Sequence, residues 1–173
     1  AVEEVSTPSS PVEYMVCGLP GQGLAQIFAL ANKVITLGRA GGGMLPGVVI
    51  FNPFDTNANV GSNIVVGPMR AASARLESSV QESGGVLMLA EGLPRQSDAN
   101  TKAWLNDQVR RDFNASLGGD FGAAVIRQAG ALEDPGSPGF FLQGMVSGDF
   151  VHPSLNGDDL IKMIQGAAIR SVL

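Results

Sequence analysis

Apolar positions along the chain fall into short continuous runs separated by longer stretches in which they recur every three or four residues. The runs are Val12–Cys17, Lys33–Leu37, Gly47–Phe51, Gly85–Ala90 and Ala123–Arg127. Each is bounded by Gly, Pro, Asn or polar residues and reads as a buried strand. The periodic stretches are Ala25–Asn32, Met69–Ser83, Thr101–Asn114 and the segment from Asp158 to about Arg170, and these read as helices. Within Thr101–Asn114 the residues Leu105, Val109 and Phe113 fall on one side, which predicts the buried face. Strands alternating with helices predict an α/β domain with a parallel sheet covered on both faces, a three-layer α/β/α sandwich. Residues 1–11 mix Pro, Ser, Thr and Glu without period and read as an extended arm or linker. Residues 12–173 show no repeat and no shift in composition, so they are expected to form a single domain.

In a parallel sheet the loops that follow the strands gather at one edge, where ligands bind. Four such loops are expected: Gly18–Leu24, Gly38–Met44, Asn52–Asn59, and Met145–Gly157, the last following the apolar Phe140–Leu142. The last loop carries His152, the only histidine of the chain, three residues after Asp149. Imidazole is the side chain best suited to move a proton near neutral pH, and a carboxylate placed there can hold one ring nitrogen while the other faces a nucleophile. The plainer alternative is a histidine that closes a loop before the last helix. Pro153 follows it, and Asn156-Gly157 is expected to turn the chain into that helix. The glycines Gly41, Gly42 and Gly43 can bring bare backbone N–H groups against an oxygen or simply permit a tight bend.

Composition narrows the classes of function. The formal net charge of −5 and the absence of Lys/Arg clusters argue against a nucleic-acid partner. One cysteine cannot form an intrachain disulfide, and no Cys/His cluster has zinc spacing, so neither a staple nor a metal is expected. No apolar run reaches the ~18 to 20 residues that span a bilayer, and the acidic start at Glu3 and Glu4 does not resemble a signal peptide. A soluble chain without membrane insertion is expected. Its location stays open, extracellular and virion-associated settings both being compatible. The pattern Gly18-x-x-Gly21-x-Gly23 superficially matches a dinucleotide fingerprint. Pro20 interrupts it, no acidic residue about twenty positions on would hold a ribose, and there is no Gly-Lys-Ser/Thr.

Asp149-Phe-Val-His152 before a helix, Gly21-Gln22-Gly23-Leu24-Ala25 before another, and the glycines around Gly41 resemble the SGNH hydrolases, the GDSL-like esterase and lipase superfamily. The resemblance spans about Tyr14 to Leu173 and implies a flavodoxin-like three-layer fold. It also implies ester hydrolysis, with the terminal D-x-x-H supplying His152 as base and Asp149 as its partner. The first motif is similar to the G-Q-S-[NL]-A form of sialate O-acetylesterase-like and other carbohydrate-esterase branches, which implies an O-acyl, above all O-acetyl, glycan as substrate, with no cofactor. Backbone N–H groups of Gly23 and of Gly41 or Gly42, with the amide of Asn52 or Asn57, would form the oxyanion hole.

Two motifs depart from the family. Gly23 stands where the resemblance places the nucleophilic serine, and glycine has no atom with which to attack a carbonyl. Cys17, Ser62 and Ser73 are poor substitutes, being placed in a strand end, a crossover and a helix. Shifting the alignment to the older G-D-S form sets Leu19-Pro20 in its place and still supplies no serine. The third motif reads Asn52-Pro53-Phe54-Asp55 in place of a Gly-x-Asn-Asp element. Two expectations follow. One is an esterase domain lacking its nucleophile, through deliberate removal or natural loss. The other is a non-catalytic module that binds glycan or assembles, as a homo-oligomer or within a phage or virus particle.

Overall fold

The structure, a computed structural model, describes residues 24–40, 47–52, 66–94, 107–121, 124–149 and 152–172. Within them the elements run α1 (Leu24–Ala40), β1 (Val48–Phe51), α2 (Val66–Gln81), β2 (Val86–Ala90), α3 (Asp107–Phe121), β3 (Val125–Ile126), α4 (Ala129–Leu132) and α5 (Leu155–Arg170). The three strands form a parallel sheet in the order β1-β2-β3, with Val48 opposite Val86 and Leu89 opposite Val125. The expected strand Val12–Cys17 and the arm at residues 1–11 lie outside the described residues.

Alternation along the strands sorts their side chains into two cores. Val49, Phe51, Leu87, Leu89 and Val125 face one side and pack with Ile35 of α1, Met69, Leu76 and Val80 of α2, and Phe113 and Leu117 of α3. Val48, Ile50, Met88, Ala90 and Ile126 face the other and meet Ile164 and Ala168 of α5. Helices thus cover both faces of the sheet, and the three-layer α/β/α arrangement expected from the sequence is the one observed. Because both faces are buried, strands of nearly continuous apolar character are what the layer requires.

Three local expectations are corrected. Lys33–Leu37 is not a second strand but the continuation of α1. An apolar run this short does not distinguish strand from helix, and here Phe28, Ala31 and Ile35, at helical spacing, pack against the α2 side while Lys33 is exposed. Phe140–Leu142 does not join the sheet: Phe141 makes an isolated antiparallel bridge to Glu133. Asn156-Gly157 is not a turn before the helix but lies in the first turn of α5, which begins at Leu155. The helix expected over Thr101–Asn114 is observed from Asp107 to Phe121, with Phe113 fully buried and Val109 half-buried. Leu105 lies outside the described residues.

Candidate functional site

Asp149 and His152 are brought into direct contact. His152 Nδ1 lies 2.6 Å from Asp149 Oδ2, and the His152 backbone N–H donates to Asp149 Oδ1 at 3.0 Å. One carboxylate therefore holds both the ring and the main chain of the residue three positions on. An ionised carboxylate can only accept, so the ring proton of this contact resides on Nδ1. In the neutral ring this leaves Nε2 with its lone pair, the atom that would act as a base. The side chains are 75% and 51% exposed, so the pair is open to a substrate from solvent.

The loop that presents the pair is a short antiparallel hairpin tied to the helix behind it. Val146 and Pro153 form an antiparallel bridge, and the Ser147 N–H donates to His152 O at 2.8 Å. The Ser154 N–H donates to Met145 O at 2.9 Å, and Ser154 Oγ donates to Gly144 O at 2.6 Å. Ser154 is also the N-cap of α5, its Oγ accepting from the Gly157 N–H at 3.2 Å. A serine at the N-cap satisfies one of the donors that the first helical turn leaves without an intrahelical partner. The same side chain thus closes the hairpin and starts the helix. Pro153, which donates no backbone hydrogen bond, sits opposite Val146 between the two hydrogen bonds of the hairpin, where no donor is required of it.

Gln165 of α5 donates to Gln128 Oε1, and Gln128, two residues past β3, donates to Glu91 O just past β2. With Ile164 and Ala168 packed on the sheet below, α5 is tied through Gln165 and Gln128 to the carboxyl edge of the sheet. Asn52 follows β1 on that edge and is exposed. Gly23, Gly41, Gly42, Gly43 and Asn57 lie outside the described residues. Ser73 is fully buried in α2, with its hydroxyl bonded to Met69 O at 2.9 Å, so this serine is unavailable as a nucleophile.

A buried polar network braces the same edge, and no motif in the sequence pointed to it. Arg110 of α3 is 1% exposed and donates to Asp107 Oδ1 (2.7 Å), Gly92 O (3.2 Å) and Glu133 Oε2 (2.9 Å). Asp107 Oδ2 is 2.9 Å from Arg111 Nε, close enough for charge attraction although off the hydrogen-bonding direction. Asn114 clasps Gly92 like a neighbouring strand, accepting from its N–H at 2.9 Å and donating to its carbonyl at 3.0 Å. Glu91 accepts from Arg127 at 2.7 Å and from the Ala129 N–H at 3.1 Å. Glu133 also accepts from the Gly139 N–H at 2.7 Å, which anchors the loop leading to the hairpin. Buried charges require such partners, and here each carboxylate meets an arginine. Only the charged residues Asp107, Arg110, Arg111 and Glu133 hint at this in the sequence. Their partnership depends on elements brought together by folding.

Among the described residues, no group of three or more His, Cys, Asp or Glu side chains could hold a metal ion, and no helix is long and apolar enough to cross a membrane.

No protein-family model and no curated protein matches the chain by sequence. Solved structures do match it by shape. A GDSL-like lipase from Bacteroides thetaiotaomicron VPI-5482 superposes with a TM-score of 0.76 at 18% identity, covering 92% of this chain and 77% of that one. A protein of Bacteroides fragilis NCTC 9343 assigned to the acylhydrolases gives a TM-score of 0.74 at 18% identity, over 92% of this chain and 76% of that one. A protein of Desulfitobacterium hafniense DCB-2 assigned to the lipolytic G-D-S-L family gives 0.53 at 19% identity, over 90% and 93%. At such identities the likeness speaks for architecture. The chain has the three-layer α/β fold of the GDSL-like, or SGNH, hydrolases.

Proposed function

We propose that the chain is an ester-hydrolase domain of the SGNH type whose proton-transfer half is Asp149 and His152, and that its substrate is an O-acylated, above all O-acetylated, carbohydrate. The observation that carries the reading is the 2.6 Å contact from Asp149 Oδ2 to His152 Nδ1 on an exposed hairpin. In that arrangement Nε2 takes the proton of an attacking hydroxyl and returns it to the leaving alkoxide, while Asp149 keeps the ring oriented and stabilises its charged form. The carbohydrate assignment is supported by Gly21-Gln22-Gly23-Leu24-Ala25, which resembles the first motif of carbohydrate esterases. Backbone N–H groups at Gly23 and at Gly41 or Gly42, with Asn52, are the proposed oxyanion donors.

Gly23 favours a second reading. If position 23 is where the nucleophile belongs, the chain as it stands cannot form an acyl-enzyme there, and the domain serves to bind glycan or to assemble, as a homo-oligomer or in a larger particle.

Hydrolysis of p-nitrophenyl acetate by the chain, by Gly23→Ser and by each with His152→Ala separates these readings. Activity that arises only with Gly23→Ser and is lost with His152→Ala supports a site lacking only its nucleophile. Activity in the unaltered chain that depends on His152 keeps the hydrolase and places the nucleophile elsewhere than position 23. No turnover in any form refutes the hydrolase and supports the binding module.

A further inference from the structure

Beyond the pair itself, we propose that Ser147 is a positioning residue for Asp149 and His152, its hydroxyl fixing the carboxylate so that His152 keeps its proton on Nδ1 and Nε2 stays free. The proposal rests on the hydrolase reading of that pair and adds a third member to it.

Ser147 Oγ donates to Asp149 Oδ1 at 2.5 Å, while the backbone N–H of the same serine donates to His152 O at 2.8 Å. The two bonds join one residue to both members of the pair. Asp149 Oδ1 thereby accepts from Ser147 Oγ and from the His152 N–H, leaving Oδ2 to meet the ring at 2.6 Å. The division of labour between the two oxygens matters because the carboxylate is half exposed. Its terminal torsion is broad and roughly two-fold, so its direction is set by the donors it meets, and of the two on Oδ1 the Ser147 hydroxyl at 2.5 Å is closer than the His152 N–H at 3.0 Å. Water can also bond Oδ1, but it is not attached to the loop and does not fix the direction in which Oδ2 points. The serine hydroxyl is so attached, through its pairing opposite His152 in the hairpin. It donates to the carboxylate, which when ionised can only accept and so requires the proton on Nδ1.

Because His152 is the only imidazole in the chain, its ring nitrogens give one pair of nitrogen-15 NMR signals, and their shifts at a pH that keeps the ring neutral report which nitrogen carries the proton. Ser147→Ala is expected to lower the ratio of the Nδ1–H to the Nε2–H form by roughly two- to tenfold, the loss of one solvent-weakened hydrogen bond to a carboxylate. Ser147→Thr, which keeps the hydroxyl, is expected to restore it. Exchange protection of the backbone amide at position 147 is expected to survive in both variants, since its bond to His152 O does not use the side chain. An unchanged proton position in Ser147→Ala overturns the proposal, and so does an equal loss in Ser147→Thr. Loss of amide protection together with the change in proton position also overturns it, assigning Ser147 to the folding of the hairpin alone. None of these signals requires turnover, so failure of the hydrolase reading is recorded separately by the ester assay.

Discussion

A single methyl group at position 157 would disturb the hairpin that carries His152. A Cβ added to Gly157 would lie 2.5 Å from Met145 O and 3.0 Å from Pro153 Cβ. Met145 O is the acceptor of the Ser154 N–H that closes the hairpin. Gly157→Ala is therefore expected to destabilise the fold by about 1 to 3 kcal/mol, as overpacking does, and to displace the hairpin from α5. Denaturant unfolding measures the first effect, and the NMR signals of His152 report the second. An unchanged midpoint and spectrum would show that the close approach is absent in solution. The pairing of Asp149 with His152 was readable from their spacing alone, because three residues suffice for a carboxylate to reach back to a following ring and main-chain N–H. The reason for Gly157 was not. Asn-Gly ordinarily signals a turn, and only the approach of Met145 from the other side of the hairpin explains a glycine inside a helix.

At the scale of elements, α5 depends on how it begins. Ser154 supplies the N-cap and Asp158 sits in the first turn, where a negative charge is favoured by the helix dipole. Ser154→Ala removes the acceptor for the Gly157 N–H and the donor to Gly144 O together. The expected loss is about 1 to 2 kcal/mol, at the upper end of what a helix cap contributes. Thermal unfolding of this variant beside Asn156→Ala, whose side chain is exposed, tests it; equal midpoints for the two would refute the role given to Ser154. α5 starts three residues before its expected place because Asn156-Gly157 reads as a turn along the sequence, whereas the cap at Ser154 already begins the helix. The end of α1 was misplaced because Val34-Ile35-Thr36-Leu37 is as apolar and β-branched as a strand. It is helical because Ile35 finds its partners on α2 and in the sheet, contacts that spacing along the chain does not reveal.

Across the whole molecule, the network around Arg110 joins α3 to the ends of β2 and to the loop that leads from α4 to the hairpin. Arg110→Ala would leave Asp107 and Glu133 without their main cationic partner in a largely dry setting. The expected cost is about 3 to 5 kcal/mol, the range found when one member of a buried ion pair is removed. Urea unfolding measures it, and a loss below about 1 kcal/mol would mean that the carboxylates reach water instead. The same variant should leave the hairpin's own bonds at Ser147, Asp149 and His152 in place, since they are formed among neighbours in sequence.

The sequence by itself determined the class of fold, since short apolar runs between amphipathic helices are stable only as a sheet covered on both faces. It also determined the pairing of Asp149 with His152, a contact that three residues can make without help from the rest of the chain. Tertiary structure alone decided the helical fate of Lys33–Leu37, the place of Gly157 beneath Met145, and the burial of Arg110 among Asp107, Gly92 and Glu133. The division has a physical cause. Period and capping act through neighbours along the chain, whereas close approach and charge burial depend on surfaces that exist only after distant segments have packed.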